Sequence, residues 1–527
     1  MRFFNTAGPV KAERHYSIPP LARLDRDAVL RLIAEEKYFV LHAPRQTGKT
    51  SVLGRLCDEL NAGGRYRSVY LNVEGAQAAR EDVGAAMRAI LSALAREALR
   101  TLEDDFVRRR WQSALEESGP HDALQDVLGK WAAASPKPLV LLLDEVDSLV
   151  GDTLISVLRQ LRAGYFHRPE WFPQSVVLCG VRDVRDYRIR STAERAVIAG
   201  GSAFNIRAKS LRLGNFDLTE VGALLGQHTE DTGQRFTPAA LTEVWESTGG
   251  QPWLVNALAD QACFEDPRGR DRRRPVSREA ILRAREALIL RRDTHLDQLT
   301  DKLREPRVRR VIEPLLADSP NLDELADDDL QYVRDLGLVA LDAPVRIANP
   351  IYQEVIPRAL TWTTQERLRQ ETAWYVENGR LRVDALLEAF QQFFREHSEH
   401  WMERFAYREA GPQLLLQAFL QRIVNAGGRI EREYGQGRRR VDLMIVWDRS
   451  AEAGRRQRVV IECKVLRGGR KRTIREGLAQ TRAYMDVSGA EEGHLVLFDR
   501  RPGRSWKDRI FCRRPARGTE PITVWGM

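Results

Sequence analysis

The stretch APRQTGKT, residues 43–50, constrains the fold more than any other feature of this sequence. It follows a short apolar run, YFVL, and precedes an amphipathic segment, SVLGRLCDEL. A strand, a glycine-containing loop and a helix, in that order, direct backbone N–H groups and the positive end of a helix toward a phosphate. The pattern therefore predicts a phosphate-binding loop in an α/β domain.

The residue types of this loop predict how a nucleotide is held. Lys49 is expected to reach the β- and γ-phosphates, and the Thr50 hydroxyl to coordinate Mg²⁺. Ala43 stands where the usual pattern has its first glycine, and it is small enough for that end of the loop. We therefore predict a site for ATP and Mg²⁺ that includes Ala43, Gln46, Thr47, Gly48, Lys49, Thr50 and Ser51.

A second signal lies downstream, in PKPLVLLLDEVDSL. A continuously apolar run of this kind is typical of a strand buried in a parallel sheet, and this one ends in Asp144 and Glu145. Ligands bind beyond the carboxyl ends of such strands. Asp144 is expected to hold Mg²⁺ through water, and Glu145 to polarise the water that attacks the γ-phosphate.

The phosphate-binding loop, the LLLDEVD strand and a Gly250-Gln251-Pro252 turn between two helices resemble the AAA-like and STAND-type NTPases. The resemblance implies a helical lid in which Pro252 packs near the adenine, and assembly into a homo-oligomer. Arg182, after the strand SVVLCG, stands where a γ-phosphate sensor is expected, although a structural salt bridge would explain it equally well. Arg207 is either a finger toward a neighbouring subunit or an ordinary surface group.

Near the other end of the chain, VVIECKV places Glu462 and Lys464 on one face of a strand. Charges that protect an edge strand would explain the pair, and so would a catalytic site. The preceding strand pattern, RVDLMIVWD, carries Asp442, and a hairpin between the two strands would bring Asp442 close to the pair. Two carboxylates and the main-chain oxygen of Cys463 could then hold Mg²⁺, which prefers oxygen ligands.

This end of the chain resembles the PD-(D/E)XK nuclease superfamily, especially the nuclease domains fused to bacterial AAA-like ATPases. The resemblance is carried by an Asp, then Glu-x-Lys, and then a helix with Gln480 in QTRAYMD. The resemblance implies that Asp442, Glu462 and Cys463 bind the metal and that Lys464 and Gln480 take part in cleavage. In some members a helical acidic residue joins the site, and Glu409 stands at that place.

The predicted organisation is an α/β multidomain chain: 1–215 NTPase core, 216–300 helical lid, 301–362 winged helix, 363–405 helical linker and 406–527 nuclease fold. The winged-helix pattern ends in a hairpin, GLVALDAPVRIAN. Its role is either DNA contact, through Arg307, Arg309 and Arg310, or packing against the NTPase as a regulatory arm. The acidic run Asp327–Asp329 favours the arm, because carboxylates repel phosphates.

Charge and cysteine content limit which binding partners and which cell compartment can be expected. Lys and Arg exceed Asp and Glu by 83 to 74, and basic runs crowd into the last hundred or so residues. That end favours a polyanion such as DNA, although basic runs are also common on solvated surfaces. The five cysteines form no CxxC pair, and the longest apolar run is too short to span a bilayer. We expect a cytoplasmic protein with no membrane association.

Together these patterns predict an ATPase that controls a Mg²⁺-dependent DNA endonuclease. The resemblance to defence proteins implies action against phage or plasmid DNA, with a trigger of phage or plasmid origin. Two alternatives stay open. One is a nucleotide-switched DNA-binding regulator with a non-cleaving nuclease fold, and the other is a nuclease of DNA repair or of a mobile element.

Overall fold

A computed structural model describes residues 2–182, 188–190, 197–199, 207–291, 301–316, 325–360, 375–402, 412–413, 416–417, 419–420, 428–434, 441–448, 456–466, 469–499, 501, 505–514 and 522–527. The chain forms two compact units. The first contains Met1–Leu290 and Arg334–Leu338, and the second contains Arg291–Val333 and Val339–Met527. Within the described part of the chain, no helix is long and apolar enough to cross a membrane.

A five-stranded, all-parallel sheet forms the centre of the first unit. The first unit's strands are β1 (Phe3–Phe4), β2 (His15–Tyr16), β3 (Tyr38–His42), β4 (Arg67–Asn72), β5 (Leu139–Asp144), β6 (Ser175–Gly180), β7 (Arg188–Arg190), β8 (Val197–Ala199) and β9 (Arg207–Arg212). The sheet has the order β4-β5-β6-β3-β9, while β1 pairs with β2 and β7 with β8. The strand that leads into APRQTGKT therefore lies between β6 and β9.

Helices cover both faces of this sheet because alternate strand residues point to opposite sides. Tyr38 and Val40 of β3 belong to one apolar core, and Phe39 and Leu41 to another. The helices on the Phe39 side are α1 (Arg26–Ala34) and α2 (Lys49–Ala62). Those on the Tyr38 side are α3 (Val83–Leu102), α4 (Phe106–Ser118), α5 (Ala123–Ala134) and α6 (Gly151–Gly164). The parallel-sheet NTPase fold predicted for this region is confirmed.

A helical subdomain follows β9. Its helices are α7 (Leu218–Thr232), α8 (Pro238–Thr248), α9 (Pro252–Asp260) and α10 (Arg278–Arg291), with a π-helical turn at Gln261–Glu265. Asp217 and Glu220 form a capping box that starts α7. The apolar core of these helices includes Phe4 and Tyr16 from the start of the chain. The amino-terminal strands are therefore part of the packing of this subdomain.

The second unit contains a six-stranded mixed sheet. The elements before it are α11 (Pro306–Leu316), α12 (Asp327–Asp335, whose end belongs to the first unit), α13 (Pro350–Leu360), β10 (Val376–Glu377), β11 (Arg380–Leu381) and α14 (Val383–Met402). The sheet and its helices are β12 (Gly428–Tyr434), β13 (Val441–Asp448), β14 (Arg456–Leu466), α15 (Arg470–Ser488), β15 (Glu492–Asp499), α16 (Trp506–Arg509), β16 (Phe511–Arg513) and β17 (Ile522–Gly526). The order is β12-β13-β14-β15-β17-β16, with β15 parallel to both β14 and β17.

The two faces of this sheet pack on different helices. Ile461 and Cys463 of β14 share a core with Phe390 of α14. On the other face, Val460 packs with Tyr484 of α15, and Leu466 packs with Ile474 and Leu478 of the same helix. The even-numbered positions of β14 thus face α15.

The hairpin predicted in GLVALDAPVRIAN is reduced to a single bridge. Val339 pairs with Ile347, and the Ala340 N–H donates to the Arg346 carbonyl at 2.9 Å. The short, charged and proline-containing connection supplies few β-forming residues, which accounts for the absence of longer strands among the described residues 325–360.

Candidate functional site

The phosphate-binding loop connects β3 to α2. Gly48 has a φ of +92° and immediately precedes Lys49, the first residue of α2. A side chain at this φ would be strained, so the loop requires glycine here. The Ala43 N–H donates to the Gly180 carbonyl at 3.2 Å, which ties the start of the loop to the end of β6. The Thr47 hydroxyl donates to the Pro44 carbonyl at 2.8 Å and closes the loop on itself.

Lys49 is held inside this loop. Its ammonium donates to the carbonyls of Ala43, at 3.1 Å, and Pro44, at 3.2 Å, and the residue is 5% exposed. A buried ammonium needs acceptors, and phosphate oxygens are stronger acceptors than neutral carbonyls because they are charged. The position of Lys49 at the start of α2 therefore fits the binding of a nucleotide's phosphates.

Thr50 and Asp144 lie together where α2 meets the end of β5. The Thr50 hydroxyl donates to Asp144 Oδ2 at 2.7 Å, and the Tyr70 hydroxyl donates to the same oxygen at 3.0 Å. Asp144 is fully buried. A hydroxyl and a carboxylate are hard oxygen ligands, so this pair fits Mg²⁺. Tyr70 was not identified from the sequence, where it is simply one aromatic residue of a strand.

Glu145 follows Asp144 in a left-handed backbone conformation, with a φ of +58°. Its N–H donates to Asp144 Oδ1 at 2.9 Å. Burial raises the pKa of the Glu145 carboxyl, and the nearby Lys49 ammonium opposes that rise. A carboxylate with a raised pKa next to the Lys49 loop can accept a proton from water, as a general base does.

The turn before α9 contacts the phosphate-binding loop. Gln251 caps α9 by accepting from the Leu254 N–H at 2.6 Å, and its amide group donates to the Gln46 carbonyl at 3.4 Å. Pro252 is buried and is the first residue of α9. Ser51, on the other side, accepts from the Val10 N–H at 3.0 Å. The phosphate-binding loop and the turn that carries Pro252 are thus brought together in the first unit.

Arg23 is a residue of this site that sequence reasoning missed. Its guanidinium donates to the Thr47 and Gly214 carbonyls and lies 4.7 Å from the centre of the Phe216 ring. Burial lowers its pKa to about 10. Arg23 joins the phosphate-binding loop to the segment that leads into the helical subdomain. No local pattern marks it, because its partners are far away in sequence.

The two predicted arginines have different outcomes. Arg182 follows β6 and its Nε lies 3.6 Å from Asp335 Oδ2, so it forms an ion pair, while its role as a γ-phosphate sensor stays a prediction. The backbone of Arg207 begins β9 beside Tyr38. The side chain of Arg207, and therefore its role as a finger, lies outside the described residues.

A second candidate site lies on the α15 face of β14. The Lys464 ammonium is 2.7 Å from Glu462 Oε1, and their side chains are 31% and 3% exposed. Lys464 also contributes to lowering the pKa of Glu476 on α15, after the larger effect of the Arg472 hydrogen bond. Val460 and Leu466, on the same face of β14, pack against α15, so the ammonium lies on the side of the sheet that α15 covers.

Asp442 occupies the neighbouring strand. Leu443 of β13 pairs with Ile461 of β14 in an antiparallel ladder, so Asp442 and Glu462 are the next positions along the two strands. The backbone of Asp442 is described, whereas its side chain is not. Cys463, whose main-chain oxygen was proposed as a ligand, turns its side chain to the α14 core.

The two remaining predicted residues of this site are Gln480 and Glu409. Gln480 lies on the exposed side of α15, one turn from Gly477. A Cβ at Gly477 would lie 2.6 Å from a methyl group of Leu495, so the glycine permits α15 to approach the sheet closely. Glu409 lies outside the described residues.

Another acidic cluster on the second unit does not fit a metal. Asp384, Glu492 and His494 offer ligand atoms within 4.8 Å of one another. However, His494 Nε2 is 2.9 Å from Glu492 Oε1, and the Trp525 indole N–H donates to His494 Nδ1 at 3.1 Å. Both ring nitrogens of the buried histidine are therefore used in the protein's own hydrogen bonds.

A family model described as the AAA ATPase domain matches residues 20–164, which contain the phosphate-binding loop and the Asp144-Glu145 strand. This part of the chain is therefore similar to AAA ATPase domains. The AAA domain supports ATP binding and ATPase activity, and the geometry around Lys49, Thr50 and Glu145 agrees with both.

Solved structures from several organisms show limited similarity to this chain. A Walker-type ATPase of Pyrococcus abyssi is 14% identical over 67% of this chain and 99% of its own, with a TM-score of 0.44. Cdc6p of Pyrobaculum aerophilum is 15% identical over 66% and 94%, with a TM-score of 0.36. The Holliday junction branch migration motor RuvB of Thermotoga maritima is 13% identical over 61% and 90%, with a TM-score of 0.32. No curated protein matches the chain significantly.

Proposed function

We propose that this chain is an ATP-controlled, Mg²⁺-dependent DNA endonuclease that acts in bacterial defence against phage or plasmid DNA. The observation that carries the proposal is the Glu462–Lys464 pair, because a carboxylate that is 2% exposed is held 2.7 Å from an ammonium at the ladder position beside Asp442. The AAA ATPase domain lies in the same chain.

Stability alone is a weak reason for this pair. Val460 and Leu466, on the same face of β14, pack in apolar clusters under α15. Glu462 and Lys464 interrupt that apolar face. The buried Glu462 carboxylate loses its hydration, and for such a charge an ion pair rarely stabilises a fold more than apolar side chains of similar size do. A chemical role accounts for their presence better than packing does.

The donor set of the site fits a hard cation. The carboxylates of Asp442 and Glu462 and the carbonyl of Cys463 would hold Mg²⁺, since all three donors are oxygen atoms. Bound there, Mg²⁺ would polarise the phosphodiester and lower the pKa of an attacking water. The Lys464 ammonium would stabilise the charge that develops on the phosphate oxygens, and Gln480 would orient the water or the lysine.

The DNA would lie along α15. Its exposed basic residues include Lys471, Arg475 and Arg482, which are close in sequence to Gln480 on the same helix. Basic side chains neutralise phosphates and release counterions, which is the main source of affinity for DNA.

On the ATPase side, we propose that Lys49 binds the phosphates, Thr50 and Asp144 hold Mg²⁺, Glu145 activates water and Pro252 packs near the adenine. We also propose a winged helix at 301–362 and a helical linker at 363–405, which follow the ATPase and precede the nuclease fold in the chain. We further propose a cytoplasmic homo-oligomer that responds to a phage- or plasmid-derived trigger.

The deciding experiment incubates the purified full chain with supercoiled plasmid and with single-stranded DNA, in the presence of Mg²⁺, with and without ATP. Asp442→Asn is the test variant, and Asp448→Asn, at the other end of β13, is the matched control. We expect the wild-type protein to cleave DNA at a rate that ATP changes. Asp442→Asn should abolish this cleavage, and Asp448→Asn should retain it.

Other results would lead to the alternatives. DNA binding without cleavage under every condition would contradict the nuclease and indicate a nucleotide-switched regulator. A strong preference for branched or damaged DNA over linear duplex would instead indicate a repair or mobile-element nuclease.

A further inference from the structure

A five-residue segment from the predicted winged helix belongs to the ATPase unit. Arg334–Leu338 is grouped with Met1–Leu290, although the residues on both sides of it belong to the second unit. Gly337 in this segment has a φ of +78°, and a Cβ there would lie 2.8 Å from the Pro44 side chain of the phosphate-binding loop. The segment therefore lies against that loop.

Two arginines flank the phosphate-binding strand at the same edge of the sheet. Arg212 ends β9, where it pairs with His42, and Arg182 follows the end of β6. Because β6 and β9 are the two neighbours of β3, both guanidiniums come from the strands beside the phosphate-binding loop. This is the edge at which nucleotides bind in parallel sheets.

Asp335 lies between these two arginines. Its Oδ1 accepts from Arg212 at 3.0 Å, and its Oδ2 lies 3.6 Å from the Arg182 Nε. Arg212 also donates to the Arg334 carbonyl at 2.8 Å. The Asp335 side chain is fully buried, while those of Arg182 and Arg212 are 11% and 21% exposed. One buried carboxylate thus sets the position of two poorly solvated cations.

We propose that Asp335 is a positioning residue of the ATP site, which holds Arg182 and Arg212 where they stabilise the charge developing on the γ-phosphoryl group. The inference rests on the ATPase activity of the first domain and adds a residue from far outside residues 20–164. Fixed cations near the transferred phosphoryl group act mainly in the transition state, so loss of their orientation reduces turnover more than it reduces ATP binding.

The test compares Asp335→Asn with Asp329→Asn in the full-length protein. Asp329 is on the same helix, where it forms an ion pair with the exposed Arg310 at 2.7 Å, so it is a matched control. For Asp335→Asn we expect kcat for ATP hydrolysis to fall about tenfold or more, with KM changing less than about threefold. Asp329→Asn should keep both constants.

Asp335→Glu separates positioning from folding. It keeps the carboxylate but moves it by one methylene group, so kcat should fall about threefold with little change in the thermal midpoint. A double variant with Arg182→Lys should lose less than the product of the two single losses, because the residues act together.

Three results would overturn the inference. The first is an unchanged kcat in folded Asp335→Asn, and the second, if Asp335→Asn does not fold, is an unchanged kcat in Asp335→Glu. The third is a loss of kcat in the double variant that equals the product of the two single losses. Absence of ATP hydrolysis by the wild-type protein would instead refute the ATPase activity itself, and the inference with it.

Discussion

The ATP site lies at the carboxyl edge of an all-parallel sheet, whereas Glu462 and Lys464 lie on a face of a mixed sheet. The first site is built largely from a loop, a helix start and strand ends. The second depends on the alternation of side chains along two paired strands. The difference teaches that the first site needs several distant chain segments to meet, while the carboxylates and the lysine of the second are brought together by the register of two neighbouring strands.

This comparison predicts that DNA cleavage can be lost without loss of ATP hydrolysis. For Lys464→Ala we expect DNA cleavage to fall about 100- to 1,000-fold, because charge on the phosphate loses its stabilising ammonium. ATP hydrolysis should change less than about twofold, since the substitution leaves the ATPase unit intact. Plasmid cleavage and phosphate release measure the two rates. Lys137→Ala, an exposed lysine of the first unit, is the control for charge, and an equal loss of ATPase activity would break the comparison.

Loss of ATP binding, by contrast, is expected to change the control of DNA cleavage. Lys49→Ala removes a buried ammonium, so ATP affinity should weaken roughly 30-fold or more. The effect of ATP on cleavage should disappear with it, while cleavage without ATP stays. Nucleotide titration and plasmid assays measure both. Lys130→Ala, whose side chain is 46% exposed, should behave as wild type. Unchanged ATP affinity in Lys49→Ala would contradict the assignment of the loop.

Acidity should affect the ATP site through Glu145. Burial raises the pKa of this carboxyl, so the basic form is lost at a higher pH than for an ordinary glutamate, near 4.3. Below the raised pKa, kcat should fall about tenfold for each pH unit. A pH profile of ATP hydrolysis tests this, with Glu145→Gln expected to lack the acidic limb. A limb centred at or below the ordinary value would count against Glu145 as the base.

The smallest effect concerns Tyr70, which donates to Asp144 at 3.0 Å. Tyr70→Phe keeps the ring and removes the hydroxyl, so Asp144 is less well fixed and about fivefold more Mg²⁺ should be needed for half-maximal ATP hydrolysis. Tyr66→Phe is the control, since it removes a buried tyrosine hydroxyl from the same unit. An unchanged Mg²⁺ requirement would show that the Thr50 hydroxyl and the Glu145 N–H are enough to orient Asp144.

Sequence patterns predicted the parts of these sites that lie close together in the chain. APRQTGKT and LLLDEVD each contain their functional residues within a few positions, so periodicity and loop chemistry indicate them directly. The alternation in VVIECKV likewise predicts that Glu462 and Lys464 share a face. Asp442 could be placed because only a short loop separates its strand from theirs.

Contacts between distant segments could not be predicted in this way. Arg23, Tyr70 and Asp335 each contact residues far along the chain, and their local sequences resemble those of ordinary helix starts, strands and helix ends. The hairpin predicted near Val339 is a single bridge in the structure. Its length could not be predicted, because strand propensity alone is a weak guide to strand length.

The return of Arg334–Leu338 to the first unit bears on how the protein is made. A ribosome synthesises roughly 5–20 residues per second, and domains generally fold as they emerge. The ATPase unit cannot be completed until residue 338 has left the exit tunnel, well after Leu290. During that interval the nascent chain carries Arg212 and Arg182 without their shared carboxylate, so the domain reaches its final form only when part of its successor has also been translated.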